Sequence, residues 1–85
     1  MDSQHRAICA LLSTMAPRRA VDYIQSFQLR PEEEAVLVEC DVRGLSYVQA
    51  ADKLHLSLEV IKHRKRQAYA KIADEIERSK EERRG

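Results

Sequence analysis

The sequence predicts an all-α fold of about five helices. Three observations carry that prediction. The 85 residues include only two glycines and two prolines. Ala, Leu, Glu, Lys, Arg and Gln, the strong helix formers, are abundant. Apolar residues recur at three- and four-residue spacings, the period of one helical face. A chain of this length makes one domain at most. Its aromatic residues are Tyr23, Phe27, Tyr47 and Tyr69, with no Trp, so Leu, Ile, Val and Ala must build the core. A core this small leaves a stability of about 5 kcal/mol.

Ile8, Leu11, Leu12 and Met15 mark the inner face of a first helix from Ser3 to Ala16, ended by Pro17. Pro17 also suits the first position of a second helix, where its missing N–H costs nothing. That helix runs to about Phe27, with Ala20, Val21, Ile24 and Phe27 inward. Both are short and need a surface to pack on. Arg30 precedes Pro31 and is pushed out of helical geometry. A third helix therefore starts at Pro31, with Glu32, Glu33 and Glu34 where the helix dipole favours negative charge. This accounts for the glutamates without any catalytic role. The helix buries Ala35, Val36, Leu37 or Val38, and Cys40 or Val42, and ends near Arg43, with Gly44 supplying a left-handed residue.

Ser46 is the expected N-cap of a fourth helix, with Gln49 completing a capping box. Val48, Ala51 and Leu54 are expected to face inward, and Tyr47, Gln49, Ala50, Asp52 and Lys53 outward. His55 and Leu56 make a turn, Leu56 as its apolar plug, and Ser57 caps a fifth helix opening Leu58-Glu59-Val60. Ile61, Ala68, Ile72 and Ile76 form its buried stripe. Arg64 and Lys65 fill a gap in that stripe, so their stems should cover the core while their charges reach solvent. From Glu77 to Gly85 no apolar face remains, as in a fraying end or a disordered tail. The organisation expected is N-terminal helices over 1–28, a helix-turn-helix over 29–76 and a charged tail over 77–85.

The net charge of +1 conceals a segregated pattern. Residues 1–30 carry +2, residues 31–57 carry −4, and residues 58–85 carry +3 from nine bases and six acids. Within 58–72, Lys62, Arg64, Lys65, Arg66 and Lys71 stand against Glu59 alone. The near-neutral total argues against a nonspecific polycation, yet a local basic helix suffices to engage phosphates. Cys9 and Cys40 each sit within a helical pattern and read as reduced, buried thiols; a disulfide would need Cα atoms within about 7 Å. The apolar run from Ala7 to Leu12 is too short, and lacks the cleavage site, for a signal peptide. No stretch approaches the ~20 apolar residues of a membrane span. A cytoplasmic protein is expected.

The ordered set Pro31-Glu32-Glu33-Glu34, Gly44-Leu45-Ser46-Tyr47, Ala50-Ala51, Leu56-Ser57 and Val60-Ile61-Lys62-His63-Arg64 resembles region four of bacterial sigma factors and its phage-encoded relatives. The resemblance covers about Leu29 to Ile72. LuxR-type regulators are similar, but their last helix is shorter, and the continuation through Ala68, Tyr69, Lys71 and Ile72 favours the sigma side. The lead-in Val21 to Phe27 is similar to that of small phage proteins of late transcription. Leu58 at the start of the last helix, His55 at the turn and the Arg64-Lys65 pair depart from the family pattern. No space remains for the promoter-melting sigma region two, so the resemblance implies a helix-turn-helix without a wing rather than a full sigma factor.

The resemblance implies sequence-specific binding of double-stranded DNA in transcription regulation, with the helix from about Leu58 to Ile72 in the major groove. The groove-facing residues it implies are Leu58, Glu59, Lys62, His63 and Arg66. Glu59 suits a cytosine amino group, Lys62 or Arg66 a guanine, and Leu58 a thymine methyl. Ser46 and Ser57, with Lys65 and Arg43, suit phosphates. The plainer alternative is a solvated basic face that covers the core. A docking module for RNA polymerase or another protein is the other function considered, with Glu32–Glu34, Glu39 and Asp41 as its acidic surface. Ile72, Ile76 and the first helix would either form a homodimer seam or close the monomer core. His5, His55 and His63 have no metal-ligand spacing with each other or with a Cys. Neither a phosphate loop nor a nucleophile elbow occurs, so no metal, cofactor or enzymatic activity is expected.

Overall fold

A computed structural model describes the backbone of residues 3–84 and the side chains of residues 5–79. Every regular element among them is helical: α1 (Ser3–Thr14), α2 (Pro17–Gln25), α3 (Pro31–Leu37) continuing into a π-helical segment (Val38–Val42), α4 (Tyr47–Leu54) and α5 (Leu58–Arg84). The sequence-expected order and number of helices match this arrangement. Met1, Asp2 and Gly85, at the ends of the leader and tail readings, lie outside the described residues.

Local chemistry sets most boundaries. Pro17 opens α2 and Pro31 opens α3, each at a first turn that has no N–H to lose. The Arg30 N–H donates to Glu33 Oε1 at 3.0 Å, closing the start of α3. Gly44, at φ +74°, ends the π segment in the left-handed region. Within that segment the Arg43 N–H reaches back five residues to the Val38 carbonyl (2.9 Å), and the Leu45 N–H six residues to Glu39 (3.0 Å). The helix is widened where an unbroken α-helix was expected.

Two apolar clusters share α3 and α5 as their common walls. The first gathers Ile8, Leu12, Ile24, Leu29, Leu37, Ala68, Tyr69, Ile72 and Ala73. The second, under the helix-turn-helix unit, gathers Val36, Ala50 and Ile61 with Tyr47, Ala51, Leu54 and Leu56 packed around them. Adjacent residues of α3, Val36 and Leu37, thus face different clusters. Ile72 is fully buried against α1 residues, so it helps to close the core of a single chain, whereas Ile76 is half-buried and Leu11 of α1 exposed.

Several inward faces differ from expectation. Leu11 is exposed on α1, and Val21 and Phe27 are only half-buried. On α4 the face is turned by about one residue: Ala50 is completely buried, whereas Val48 is 67% exposed. The small Ala50 lets α4 approach Val36 and Ile61 closely, and this contact rotates Val48 outward. The backbone of α5 is helical to Arg84, through the segment expected as a fraying helical end or a disordered tail.

The two clusters meet at a buried ion pair. Asp41, from the π segment, lies 3.2 Å from Lys65 Nζ, with side-chain exposures of 2% and 13%. The Lys65 ammonium also sits over the rings of Tyr47 (5.0 Å) and Tyr69 (5.5 Å), one from each side of the joint. The Tyr69 hydroxyl donates to Asp41 Oδ2, and Cys9 Sγ lies 3.7 Å from Oδ1. Burial and the bond to Asp41 push the Tyr69 hydroxyl far above its ordinary range. Burial alone would lower the Lys65 ammonium, but the Asp41 carboxylate overrides it and holds Lys65 above the ordinary lysine range. Both cysteines are free and half-buried, and burial raises the Cys40 thiol.

Candidate nucleic-acid interface

The connection between α4 and α5 is built from three local devices. Ser46 Oγ accepts from the Gln49 N–H (3.1 Å) while Gln49 Oε1 accepts from the Ser46 N–H (2.9 Å), a complete capping box. At the other end of α4, His55 adopts φ +58°, the left-handed conformation usually given to glycine. The Leu56 N–H then reaches the Ala51 carbonyl (3.0 Å), and the His55 N–H the Asp52 carbonyl (3.4 Å). Leu56 turns into the second cluster as the expected plug. Ser57 Oγ accepts from the Val60 N–H at 3.2 Å and starts α5.

On the first turns of α5, Leu58, Glu59, Lys62, His63 and Arg66 are all exposed. Their spacing of three and four residues puts them on one continuous face. Among the described residues, Glu59, Lys62 and Arg66 form no ion pair. Their neighbours are committed elsewhere. Arg64 donates to Glu32 (2.8 Å) and Gln67 (3.0 Å), and Lys71 bonds Glu33 at 2.7 Å.

Lys65, grouped in the sequence with the phosphate contacts, turns inward at the edge of that face. Its charge meets Asp41 instead of solvent, because two tyrosine rings and a carboxylate offer it a better-compensated site than a half-covered core edge would. Ser46 and Ser57 lie at the exposed starts of α4 and α5, each with its oxygen accepting a cap bond. Arg43 is exposed and 3.4 Å from Glu39. The residue that sequence reasoning missed is Val48, placed inside by a pattern that the adjacent Ala50-Ala51 pair made ambiguous.

Of the expected acidic docking surface, Glu32 is exposed and Glu34 half-buried, and the other three members are interior. Glu33, Glu39 and Asp41 are 1%, 7% and 7% exposed, and each meets a cation of this chain. Glu39 binds Lys53 at 2.8 Å and Arg43 at 3.4 Å. For Glu33, burial raises the carboxyl, but the Lys71 ammonium and the Arg30 N–H outweigh it and hold the group below the ordinary glutamate range. Glu32, Glu33, Glu39 and Asp41 therefore fasten α3 and the π segment to α4 and α5.

Two helices joined by a tight turn, the second with an exposed basic face on its first turns, define a helix-turn-helix DNA-binding domain. The family model described as Sigma-70, region 4 matches residues 27–74, more than half of the chain, and the chain belongs to that family. Domains of this family bind DNA and RNA polymerase and are not enzymes. No match was found among curated proteins or among solved structures. Among the described residues no helix is long and apolar enough to cross a membrane.

Proposed function

We propose that the protein binds a specific sequence of double-stranded DNA through α5 and thereby regulates transcription, in the cytoplasm of a bacterium or of a phage-infected host. The observation that carries this reading is the exposed face of Leu58, Glu59, Lys62, His63 and Arg66, of which Glu59, Lys62 and Arg66 have no ion-pair partner among the described residues. A face that merely covered the core would have its charges paired or its stems buried, as Arg64 and Lys65 do. Lys62 and Arg66 supply donors to guanine or to phosphate, Glu59 an acceptor for cytosine, and Leu58 a surface for a thymine methyl. Ser46 and Ser57, at the two helix starts, donate to phosphates on either side of the groove.

Docking through the acidic face keeps only Glu32 and Glu34 toward solvent, since Glu33, Glu39 and Asp41 are buried. The test is selection of bound sequences from a random DNA pool, followed by salt titration on the recovered site. A recovered motif is expected, with log affinity falling linearly with log salt at about −0.9 per phosphate contact. Lys62→Ala and Arg66→Ala should each either lower that slope by roughly one contact or relax the preference at one base pair. Unchanged affinity in both variants, with folding intact, overturns the reading.

A further inference from the structure

Two tyrosine rings flank the Lys65 ammonium, and their hydroxyls have different fates. Tyr69 is buried and spends its O–H on Asp41. Tyr47 is half-buried, its ring packed on the cluster of Val36, Ala50 and Ile61 and lying 5.0 Å from Lys65 Nζ. Among the described residues the Tyr47 hydroxyl neither makes a hydrogen bond nor lies buried without one. It therefore meets water, carried there by a ring fixed between α3, α4 and α5.

That hydroxyl borders the reading face. At about 100° per residue, Lys65 lies about 20° around α5 from Leu58 and about 60° from Lys62. The ring over Lys65 thus stands along the edge on which Leu58 and Lys62, both exposed, begin that face. Tyr47 also opens α4, directly after the Ser46 cap. In helix-turn-helix docking the second helix occupies the major groove while the first crosses the DNA backbone. An O–H on the first helix, at the border of the second, stands where phosphates flank the groove. Tyr hydroxyls are among the donors that phosphates accept from, and such contacts position a protein without reading sequence.

We propose that Tyr47 is a backbone-contact residue whose hydroxyl donates to a DNA phosphate beside α5. The inference rests on the DNA-binding reading above and adds a neutral contact from α4 to the charged ones of α5. Because packing and the Lys65 ammonium already hold the ring, the contact immobilises no flexible side chain, a cost that an exposed lysine carries. An uncharged donor neutralises no phosphate, so it leaves the salt dependence of binding untouched.

Tyr47→Phe keeps the ring and removes the hydroxyl. Its affinity is measured against the wild type on the selected sequence and on single-base variants of it, across a salt series, with thermal melts to confirm folding. The variant should bind all of these duplexes roughly three- to tenfold more weakly, with the salt slope of the wild type. Phosphates of the selected site are then replaced one at a time by methylphosphonate. At one position the replacement should cost the wild type roughly three- to tenfold more than it costs Tyr47→Phe. If Tyr47→Phe binds as tightly as the wild type, or if its loss varies with the base replaced, the Tyr47 assignment is overturned and DNA binding by α5 stands. If the wild type binds no duplex at all, both are overturned.

Discussion

His55 holds a conformation that costs a side-chain-bearing residue about 1 kcal/mol relative to glycine. It does so at φ +58°, with the Leu56 and His55 N–H groups closing the end of α4 behind it. His55→Gly should therefore stabilise the fold by about 1 kcal/mol and raise the melting temperature by roughly 4–8 °C, as read by circular dichroism. Asp41 works in the opposite sense. It carries a buried charge that answers Lys65, Tyr69 and Cys9 together, so Asp41→Ala leaves an ammonium and a hydroxyl uncompensated. A loss of about 3–5 kcal/mol is expected, comparable to the whole stability of so small a domain. The triple variant Asp41→Leu, Lys65→Met, Tyr69→Phe removes the charges and the hydroxyl at once. It should recover most of that loss in a denaturant titration.

At the scale of elements, the rotation of α4 separates two residues that the sequence pattern could not rank. Ala50→Leu should overpack the space between α3 and α5 and cost about 1–3 kcal/mol. Val48→Lys should change stability by less than about 0.5 kcal/mol. Chemical denaturation of both variants checks the orientation; equal costs would contradict it. What was legible in the sequence was what nearest neighbours decide. Pro17 and Pro31 at helix starts, Gly44 after the third helix, the Ser46–Gln49 box and the Ser57 cap each depend on contacts within a few residues. The phase of α4 depends on which alanine α3 and α5 will admit. The widening at Val38–Val42 accompanies a segment that sends Glu39 to α4 and Asp41 to α1 and α5. Neither is a local property. The candidate site divides the same way: spacing was enough to put Leu58, Glu59, Lys62, His63 and Arg66 on one face, but not to show that Lys65 turns inward to a carboxylate 24 residues earlier in the chain.

For the whole molecule, the buried ion pairs set a pH window. Glu33 in the folded state lies below the ordinary glutamate range, so the unfolded chain binds more protons as pH falls through that range. Its contribution is complete above the ordinary glutamate value and is lost as pH drops through the lowered one. Lys65 lies above the ordinary lysine range. Its contribution is complete below that range and is lost as pH rises through the raised value. Stability should be flat from the ordinary glutamate value up to the ordinary thiol range, above which the raised Cys40 thiol, still protonated in the fold, begins to lower it, and Glu33→Gln should flatten the acid limb of a melting-temperature profile.

The inward turn of Lys65 has a consequence for redesign. Residues that hold α5 in place (Ile61, Lys65, Ala68, Tyr69 and Ile72) and residues proposed to read DNA (Leu58, Glu59, Lys62, His63 and Arg66) share no member. The outer face is thus an interchangeable cassette. Libraries randomised at those five positions should yield folded proteins at high frequency, and new target preferences could be screened for without rescuing the scaffold each time.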